Sequence, residues 1–276
     1  IHLIYLYKIK VMIKVSHELP LCFLNKGKEW NDYDFCLPTY WFKSEQYKQH
    51  YLDAKAAGRF IIADNGLFEG DSFTEKQLIE FVNELQPDIF VIPDVWNDAL
   101  LSLRNAKRWT NMKEILPENT KLMAVIQCTD YKIGSLLYGQ YMDLGVEAIA
   151  FNHSSTAYQD FFPHENISIS KMMGRIYFIN QLKKKNIIDN HIHHHLLGCA
   201  TFLEFKAYND PAYFFIKTAD TSNPVIFGLK EQKYTFNNCW DKPNEKIEVW
   251  FDKEINNKIA MGDRSVMPKW IGSNYL

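Results

Sequence analysis

Polar side chains suited to chemistry follow short apolar stretches at five places along this sequence. They are Asp64, Asp94, Gln127, Asn152 and Asp220. Two carboxylates at one site are enough for a double displacement at a sugar carbon, because one attacks C1′ while the other moves protons. A third carboxylate and an amide can together accept and donate hydrogen bonds along the edge of a purine-like base. The pattern therefore indicates glycosyl chemistry if the five residues meet.

The elements that must position these residues are short strands alternating with helices, a pattern that predicts a parallel sheet. The strands are predicted over 11–15, 34–37, 60–63, 89–92, 122–126, 148–151, 195–198 and 213–218. The helices are predicted over 44–57, 74–85, 98–113, 131–144, 168–185 and 202–208. Eight strands favour an α/β fold closed into a (β/α)8 TIM-type barrel. Its active site lies at the carboxyl ends of the strands.

The length and composition of the chain fit one large domain. With 276 residues and 47% hydrophobic content, we expect a barrel over about 11–224 and a C-terminal cap or extension over about 225–276. A strand is predicted at 247–251. Met12 is a candidate start, which leaves residues 1–11 as upstream sequence or an extra edge strand.

Cysteine usage and hydropathy bear on the cellular compartment. The five cysteines are scattered and form no CxxC pair, so we expect reduced thiols in a cytoplasm rather than disulfides. Cys128 and Cys199 are expected to be buried apolar residues. The sequence has no apolar run of about 20 residues, so no membrane association is predicted.

The net charge of −2 excludes a protein-wide field that would attract nucleic acid, so any phosphate binding must be local. Two basic clusters are candidates, at 104–108 and at 183–185. Each is also compatible with an ordinary solvated helix face.

Several segments resemble, in the same order, motifs of the tRNA-guanine transglycosylases. Asp64-Asn65-Gly66-Leu67-Phe68-Glu69 is similar to the family's Asp-Ser-Gly-Gly-Phe-Gln motif. Pro93-Asp94, Val125-Ile126-Gln127 and His195-Leu196-Leu197-Gly198 resemble later segments, and 218–224 lies where the family carries its nucleophilic Asp. The family's C-terminal CxCxxC…His zinc pattern and its Gly-Gly-Leu-Ala-Val-Gly loop are both missing from this sequence. The chain therefore resembles most the compact viral DpdA-type branch, which acts on DNA.

This resemblance implies that guanine in DNA is exchanged for a 7-deazaguanine such as 7-cyano-7-deazaguanine, through a covalent aspartyl-sugar intermediate. It implies that Asp220 is the nucleophile, that Asp64 is the general acid and base, and that Asp94 and Gln127 read the base. We expect three further substrate-binding residues: Asn152, Phe68 and Gly198. No organic cofactor and no metal are implied, tRNA is a less favoured substrate than DNA, and a viral protein would act in the host cytoplasm.

Simpler interpretations stay open for each of these residues. Asp64 fits an ordinary turn, Asp94 a helix cap and Asp220 an Asx turn. Gln127 fits a buried amide bonded to backbone, and Glu69 is expected to order its loop. The histidines at 191 and 193–195 are expected in a solvated loop leading into a strand, with metal binding as the lesser alternative. Two other functions remain, a metal-dependent barrel hydrolase or lyase and a non-catalytic nucleic-acid-binding barrel.

Overall fold

The computed structural model describes residues 13–241 except 69, 71, 231, 234 and 236. Eight parallel strands form one sheet in the order β1-β8-β7-β6-β5-β4-β3-β2. The strands are β1 Lys14–His17, β2 Asp34–Cys36, β3 Ile61–Ala63, β4 Ile89–Val91, β5 Lys121–Ile126, β6 Ala148–Asn152, β7 His193–Leu197 and β8 Ile216–Thr221. A backbone hydrogen bond from the Asp32 N–H to the Val15 carbonyl, 3.0 Å, links β1 to the segment that leads into β2. The predicted (β/α)8 barrel is confirmed.

Helices lie between the strands and after the last one. They are α1 Gly27–Trp30, α2 Pro38–Lys43, α3 Glu45–Ala56, α4 Glu75–Leu85, α5 Ala99–Asn111, α6 Tyr131–Asp143, α7 Ala157–Phe161, α8 Ile167–Lys184, α9 Phe202–Tyr208 and α10 Asn223–Leu229. Three short 3-10 segments occur at Leu21–Lys26, Lys113–Ile115 and Pro211–Tyr213. No helix among the described residues has the length and apolarity needed to cross a bilayer.

Local sequence explains where the helices begin. Thr74 caps α4 in a full capping box with Gln77, as the sequence predicts. Asp98 caps α5, because its side chain accepts a hydrogen bond from the Leu101 backbone N–H. Strands β3, β4, β5 and β6 are almost wholly buried and mostly apolar, as expected for a parallel sheet that is covered on both faces.

The strand register decides which side chains point into the barrel. Residues paired across parallel strands point to the same face, so His195 on β7 and Thr218 on β8 share a face, as do Ser16 on β1 and Asp220 on β8. The ring of Phe35 on β2 stacks on that of His195, with centroids 5.8 Å apart. Since β2 and β7 are not neighbours in the sheet, this face must be the interior of the barrel.

Three predicted strand boundaries are wrong in ways that matter for the site. The seventh strand starts at His193 rather than His195, and the eighth runs to Thr221 rather than ending at Thr218. The first strand is Lys14–His17, while part of its predicted range lies outside the described residues. Asp220 therefore sits within a strand and not in the Asx turn that was the alternative.

The C-terminal region is described only in part. Helix α10, at Asn223–Leu229, crosses the expected end of the barrel at residue 224 and supplies the helix that follows β8. The predicted strand at 247–251 lies outside the described residues, as does Glu69.

Candidate active site

One side of the barrel mouth holds a cluster of three hydrogen-bonded side chains, Asn65, Asp94 and Gln127, here called the amide cluster. Asn65 Nδ2 donates to Asp94 Oδ1 at 2.7 Å and to the Ile92 carbonyl at 3.0 Å. Gln127 Nε2 donates to the other carboxylate oxygen, Oδ2. Each oxygen of Asp94 therefore receives one amide donor.

Burial dominates the electrostatics of the amide cluster. Burial raises the pKa of Asp94 to about 6, although the hydrogen bonds from Asn65 and Gln127 favour the ionised form and oppose the shift. The carboxyl group is therefore ionised at neutral pH and takes up a proton near pH 6. The Gln127 oxygen accepts from the backbone N–H of Asn97 at 3.0 Å, which fixes the orientation of the amide.

Asp64 sits beside this cluster at the turn that follows β3. Its Oδ2 accepts from the Gly66 backbone N–H at 3.1 Å, and Asn65 Oδ1 accepts from the Leu67 N–H at 2.9 Å. Gly66 has φ +78, and a Cβ there would lie 2.7 Å from the ring of Phe73. Only glycine fits this position without strain. Asp64 therefore lies in a turn, as the simpler interpretation of the sequence predicts. This turn places its buried carboxyl group at the mouth.

The other side of the mouth is built around Asp220. Its Oδ1 faces two donors, the imidazole Nε2 of His195 at 2.9 Å and the backbone N–H of Gly198 at 2.9 Å. Among the described residues, none donates a hydrogen bond to Oδ2. The hydrogen bonds of this carboxyl group are therefore one-sided.

The hydrogen bonds continue from His195 down into the barrel. His195 Nδ1 lies 2.8 Å from Thr218 Oγ1, which in turn lies 2.7 Å from His193 Nε2. Asp220, His195, Thr218 and His193 are here called the relay. Burial lowers the pKa of His193 to about 3, so that side chain is neutral. The expectation of a solvated loop is wrong for His193 and His194, which belong with His195 to strand β7. His194 and His195 are buried, whereas His191 is exposed.

Aromatic rings surround the relay. Phe35 stacks on His195, and Tyr33 meets the same imidazole edge-on at 6.5 Å. Burial, reinforced by the negative charge of Asp220, raises the pKa of the Tyr33 phenol well above its usual value. These rings leave His195 little freedom to rotate.

Gly198 and the ends of β6 and β7 are held from outside the barrel by a buried ion pair. Arg175 on α8 donates from Nε to Glu204 Oε1 on α9 at 2.7 Å, and both side chains are 0% exposed. The same guanidinium donates to the carbonyls of Phe151, Leu197 and Gly198 at 2.9, 3.1 and 3.1 Å. Burial opposes the charge of Arg175, but Glu204 raises its pKa overall. The pair therefore fixes the backbone that carries the Gly198 N–H.

Asn152 lies at the end of β6 between the two sides. Its Oδ1 accepts from Ser155 Oγ at 2.7 Å, and Ser155 accepts in turn from the Cys128 N–H at 3.1 Å. Its buried Nδ2 has no hydrogen-bond partner in the part of the chain that the structure describes. A buried donor without a partner is costly, so a ligand oxygen here would be stabilising.

Two exposed aromatic side chains stand on the rim. Phe68, after β3, and Trp96, after β4, are 47% and 48% exposed, and their ring centroids are 6.2 Å apart. On α5, Arg104 and Lys107 are exposed, and neither forms an ion pair with another described residue, whereas Arg108 donates to Glu75 at 2.9 Å.

The second basic cluster lies away from the mouth. Helix α8 runs back from the mouth and ends at Lys184, just before the chain enters the amino end of β7. Lys183 donates to the Ala212 carbonyl, and Lys185 lies 4.4 Å from the ring centroid of Tyr131. Residues 183–185 therefore lie toward the end of the barrel opposite the mouth, and their contact with phosphates stays a prediction.

The arrangement of the metal-binding side chains and the burial of the thiols limit their possible roles. Among the described residues, no group of three or more His, Cys, Asp or Glu side chains is arranged to hold a metal ion. Cys128 and Cys199 are buried, as predicted, and burial raises the pKa of the Cys128 thiol to about 12. A thiol with that pKa is a poor nucleophile.

Comparison with known proteins gives the fold. No protein-family model and no curated protein matches the chain. Among solved structures, the YdjI aldolase of Escherichia coli K12 is similar at a TM-score of 0.50 and 10% identity, with 96% of this chain and 93% of that chain covered. N-acetylneuraminate lyase of Mycoplasma synoviae has a TM-score of 0.46 and 8% identity, with 93% and 77% covered. At 10% identity, the likeness to the YdjI aldolase shows the barrel fold alone.

The structure brings together the residues predicted from sequence in two groups. Gln127 bonds Asp94, and Asp64 directly precedes Asn65, which bonds the same carboxylate, while Gly198 contacts Asp220 directly. Sequence reasoning missed Asn65, His195 and Arg175 as parts of the site. For His195, the alternation His193-x-His195-x-Leu197 was a usable signal, since every second residue of a strand faces the same side.

Proposed function

We propose that this barrel is a glycosyl-transferring enzyme that exchanges guanine in DNA for a 7-deazaguanine base. The observation that carries the proposal is the one-sided hydrogen bonding of Asp220, whose Oδ1 has two donors and whose Oδ2 has none among the described residues. A carboxylate oriented in this way can attack a sugar carbon with its second oxygen.

In the first half of the reaction, Asp220 Oδ2 attacks C1′ and forms a C1′–O bond while the C1′–N9 bond to guanine breaks. The bonding electrons leave with guanine, and protonated Asp64 supplies the proton that neutralises N9. In the second half, Asp64 takes the N9 proton of the incoming 7-deazaguanine. N9 then attacks C1′ and releases the Asp220 carboxylate, so both acids return to their starting states.

The amide cluster supplies the groups for reading a base. A guanine-type edge presents ring N–H and amino donors, which the Asp94 carboxylate can accept on its remaining lone pairs. The two amides already bonded to Asp94 hold it in place before the base arrives. Asn152 adds a donor for a carbonyl oxygen of the base or an oxygen of the sugar.

The choice of DNA rests on the sequence resemblance and on the rim. Exposed Trp96 and Phe68 offer stacking surfaces for bases, and Arg104 and Lys107 offer cations for phosphates. Flipping a base out of a paired duplex costs a few kcal/mol, and less from unpaired DNA. We therefore expect single-stranded or mismatched DNA to react at least as well as duplex.

The aldolase and lyase names of the structural neighbours suggest a different chemistry, which the site supports less well. Imine-forming enzymes use a lysine amine as nucleophile. In the described strands, the lysines are Lys14, Lys121 and Lys217, at the first or second position of β1, β5 and β8. They lie at the end of the barrel away from the mouth.

The test is incorporation of labelled guanine or 7-cyano-7-deazaguanine into a DNA oligonucleotide by the full chain. A denaturant-stable protein–DNA adduct should accumulate when the incoming base is withheld. Faster modification of a folded tRNA in direct competition would overturn the assignment to DNA while leaving base exchange intact. Loss of activity on exhaustive chelation would favour the metal-dependent hydrolase or lyase instead.

A further inference from the structure

We infer that His195, fixed by Thr218 and His193, is a positioning residue that orients Asp220 for attack. This inference rests on the proposed function, in which Asp220 is the nucleophile. Neither His195 nor Thr218 has a role in the reaction described so far. Their placement gives them one, because they form a continuous hydrogen-bonded chain that ends on the Asp220 carboxylate.

The hydrogen bonds of the relay have a donor-to-acceptor direction, which is set by the residues at its two ends. An ionised carboxylate only accepts hydrogen bonds, so His195 must carry its proton on Nε2 to bond Asp220 Oδ1. With a proton on Nε2 and none on Nδ1, the Nδ1 atom is an acceptor, and the hydroxyl of Thr218 donates to it. Thr218 Oγ1 can accept in turn from Nε2 of neutral His193. Each donor points toward Asp220.

The depth of each residue in the barrel excludes a mechanism in which the Thr218 hydroxyl, rather than the Asp220 carboxylate, is the nucleophile. An Asp–His–Thr chain can also activate the hydroxyl as a nucleophile. Here Thr218 precedes Asp220 by two residues on β8, which places it roughly 6.6 Å farther from the mouth. Thr218 is also buried beneath the His195 side chain that it bonds. The group at the mouth is the carboxylate.

Two features keep the chain rigid. The stacking of Phe35 on His195, with planes 13° apart, blocks rotation of the imidazole. The Gly198 N–H bonds the same oxygen of Asp220 as His195 does, and the Arg175–Glu204 pair anchors Gly198. Together they leave Oδ2 as the oxygen available for C1′.

The kinetic test compares variants that keep or remove single donors. His195→Phe keeps an aromatic ring beside Phe35 but loses the N–H, and we expect kcat for base exchange to fall about 100-fold with KM little changed. His195→Gln can present an amide N–H near the Nε2 position and should retain kcat within about tenfold of wild type. Equal losses in both variants would overturn the inference.

A second pair of variants covers the case in which His195→Phe does not fold. Thr218→Val removes the hydroxyl that holds Nδ1, and we expect kcat to fall about tenfold. Thr218→Ser keeps the hydroxyl and serves as the matched control, with kcat close to wild type. Identical kcat in the two variants would show that the hydroxyl has no part in positioning Asp220.

A substrate-free measurement separates this inference from the proposed function. ¹⁵N NMR of the histidine rings reports which nitrogen of His195 carries a proton, with the signal assigned by its loss in His195→Gln. We expect Nε2 to be protonated in the wild-type protein and the His195 ring signals to shift in Thr218→Val. An unprotonated Nε2, or identical ring signals in the two proteins, would refute the relay. A protein with the expected spectrum and no base exchange would refute the proposed function alone.

Discussion

The amide cluster and the relay hold their carboxyl groups in opposite ways. In the amide cluster, both oxygens of Asp94 accept from side-chain amides, and burial raises the pKa of the acid to about 6. In the relay, the imidazole and a backbone N–H both bond one oxygen of Asp220. A symmetric arrangement suits the recognition of a flat ligand, whereas a one-sided arrangement suits attack by the other oxygen.

This difference supports the proposed roles of the two carboxyl groups independently of the sequence motifs. Two acids that share a mouth are useful for different steps only when their surroundings differ. Asp94 is surrounded by neutral amides and Asp220 by a backbone N–H and an imidazole that rings pack around. Substitutions in the two groups should therefore fail in different ways.

The largest effect is expected at Asp220. Asp220→Asn retains the size of the side chain, but an amide cannot attack C1′, so base exchange and the covalent DNA adduct should both disappear. Asp220→Ala should behave in the same way. The circular dichroism spectrum should remain that of wild type, and the exposed Asp143→Asn serves as the control with full activity. Measurable exchange in Asp220→Asn would remove Asp220 from the nucleophile role.

The next largest effect is expected at Asp64. Asp64→Asn cannot protonate the leaving guanine, so the rate of exchange should fall about 10²- to 10⁴-fold, the usual contribution of a positioned acid or base. Single-turnover assays with excess enzyme should show slow adduct formation, while DNA affinity stays near wild type. A loss of affinity with unchanged adduct formation would move Asp64 from proton transfer to binding.

Much of this comparison could be drawn from the sequence, and the reason is the regularity of barrels. Each short apolar stretch ending in Asp, Gln or Asn marks the carboxyl end of a strand, and parallel strands bring those ends together. That regularity correctly predicts the eight strands and the shared location of Asp94 and Gln127. It needs only local patterns, which a single sequence contains.

The relay could not be predicted because it depends on register. A shift between β7 and β8 at His194 and His195 sets His195 against Thr218, and no local pattern reveals such a shift. The stacking of Phe35 on His195 joins strands that are far apart in the chain. The Arg175–Glu204 pair likewise joins two helices, and a charged residue in a helix is more often exposed.

The raised pKa of Asp94 should appear in the pH dependence of protein stability. The pKa of Asp94 is raised from 3.8 to about 6, so between these values the folded protein binds more protons than the unfolded chain, and stability falls as pH rises. The shift corresponds to about 3 kcal/mol lost between pH 4 and pH 7. Asp94→Asn lacks this contribution, so urea titrations should show its free energy of unfolding rising by about that amount relative to wild type over the range.

The lost hydrogen bonds in Asp94→Asn change stability by a similar amount at every pH. The informative quantity is therefore the difference between the two proteins in how the free energy of unfolding changes with pH. Asp143→Asn, at an exposed site, should follow the wild-type curve. Parallel curves for wild type and Asp94→Asn from pH 4 to pH 7 would mean that burial does not perturb Asp94.

The smallest effects are expected outside both groups, at the rim. Trp96→Ala should weaken binding of single-stranded DNA about fivefold to tenfold, because it removes one stacking surface worth roughly 1 kcal/mol or more.

Arg104→Gln should weaken binding by a similar or smaller factor and should lower the slope of log affinity against log salt by about 1, as expected for one lost phosphate contact. Lys184→Gln, at the end of the barrel away from the mouth, is the matched control and should change neither quantity. If Lys184→Gln reduces the salt slope as much as Arg104→Gln does, the phosphate contacts are not confined to the rim. The DNA strand then does not follow the path over Trp96 that is proposed here.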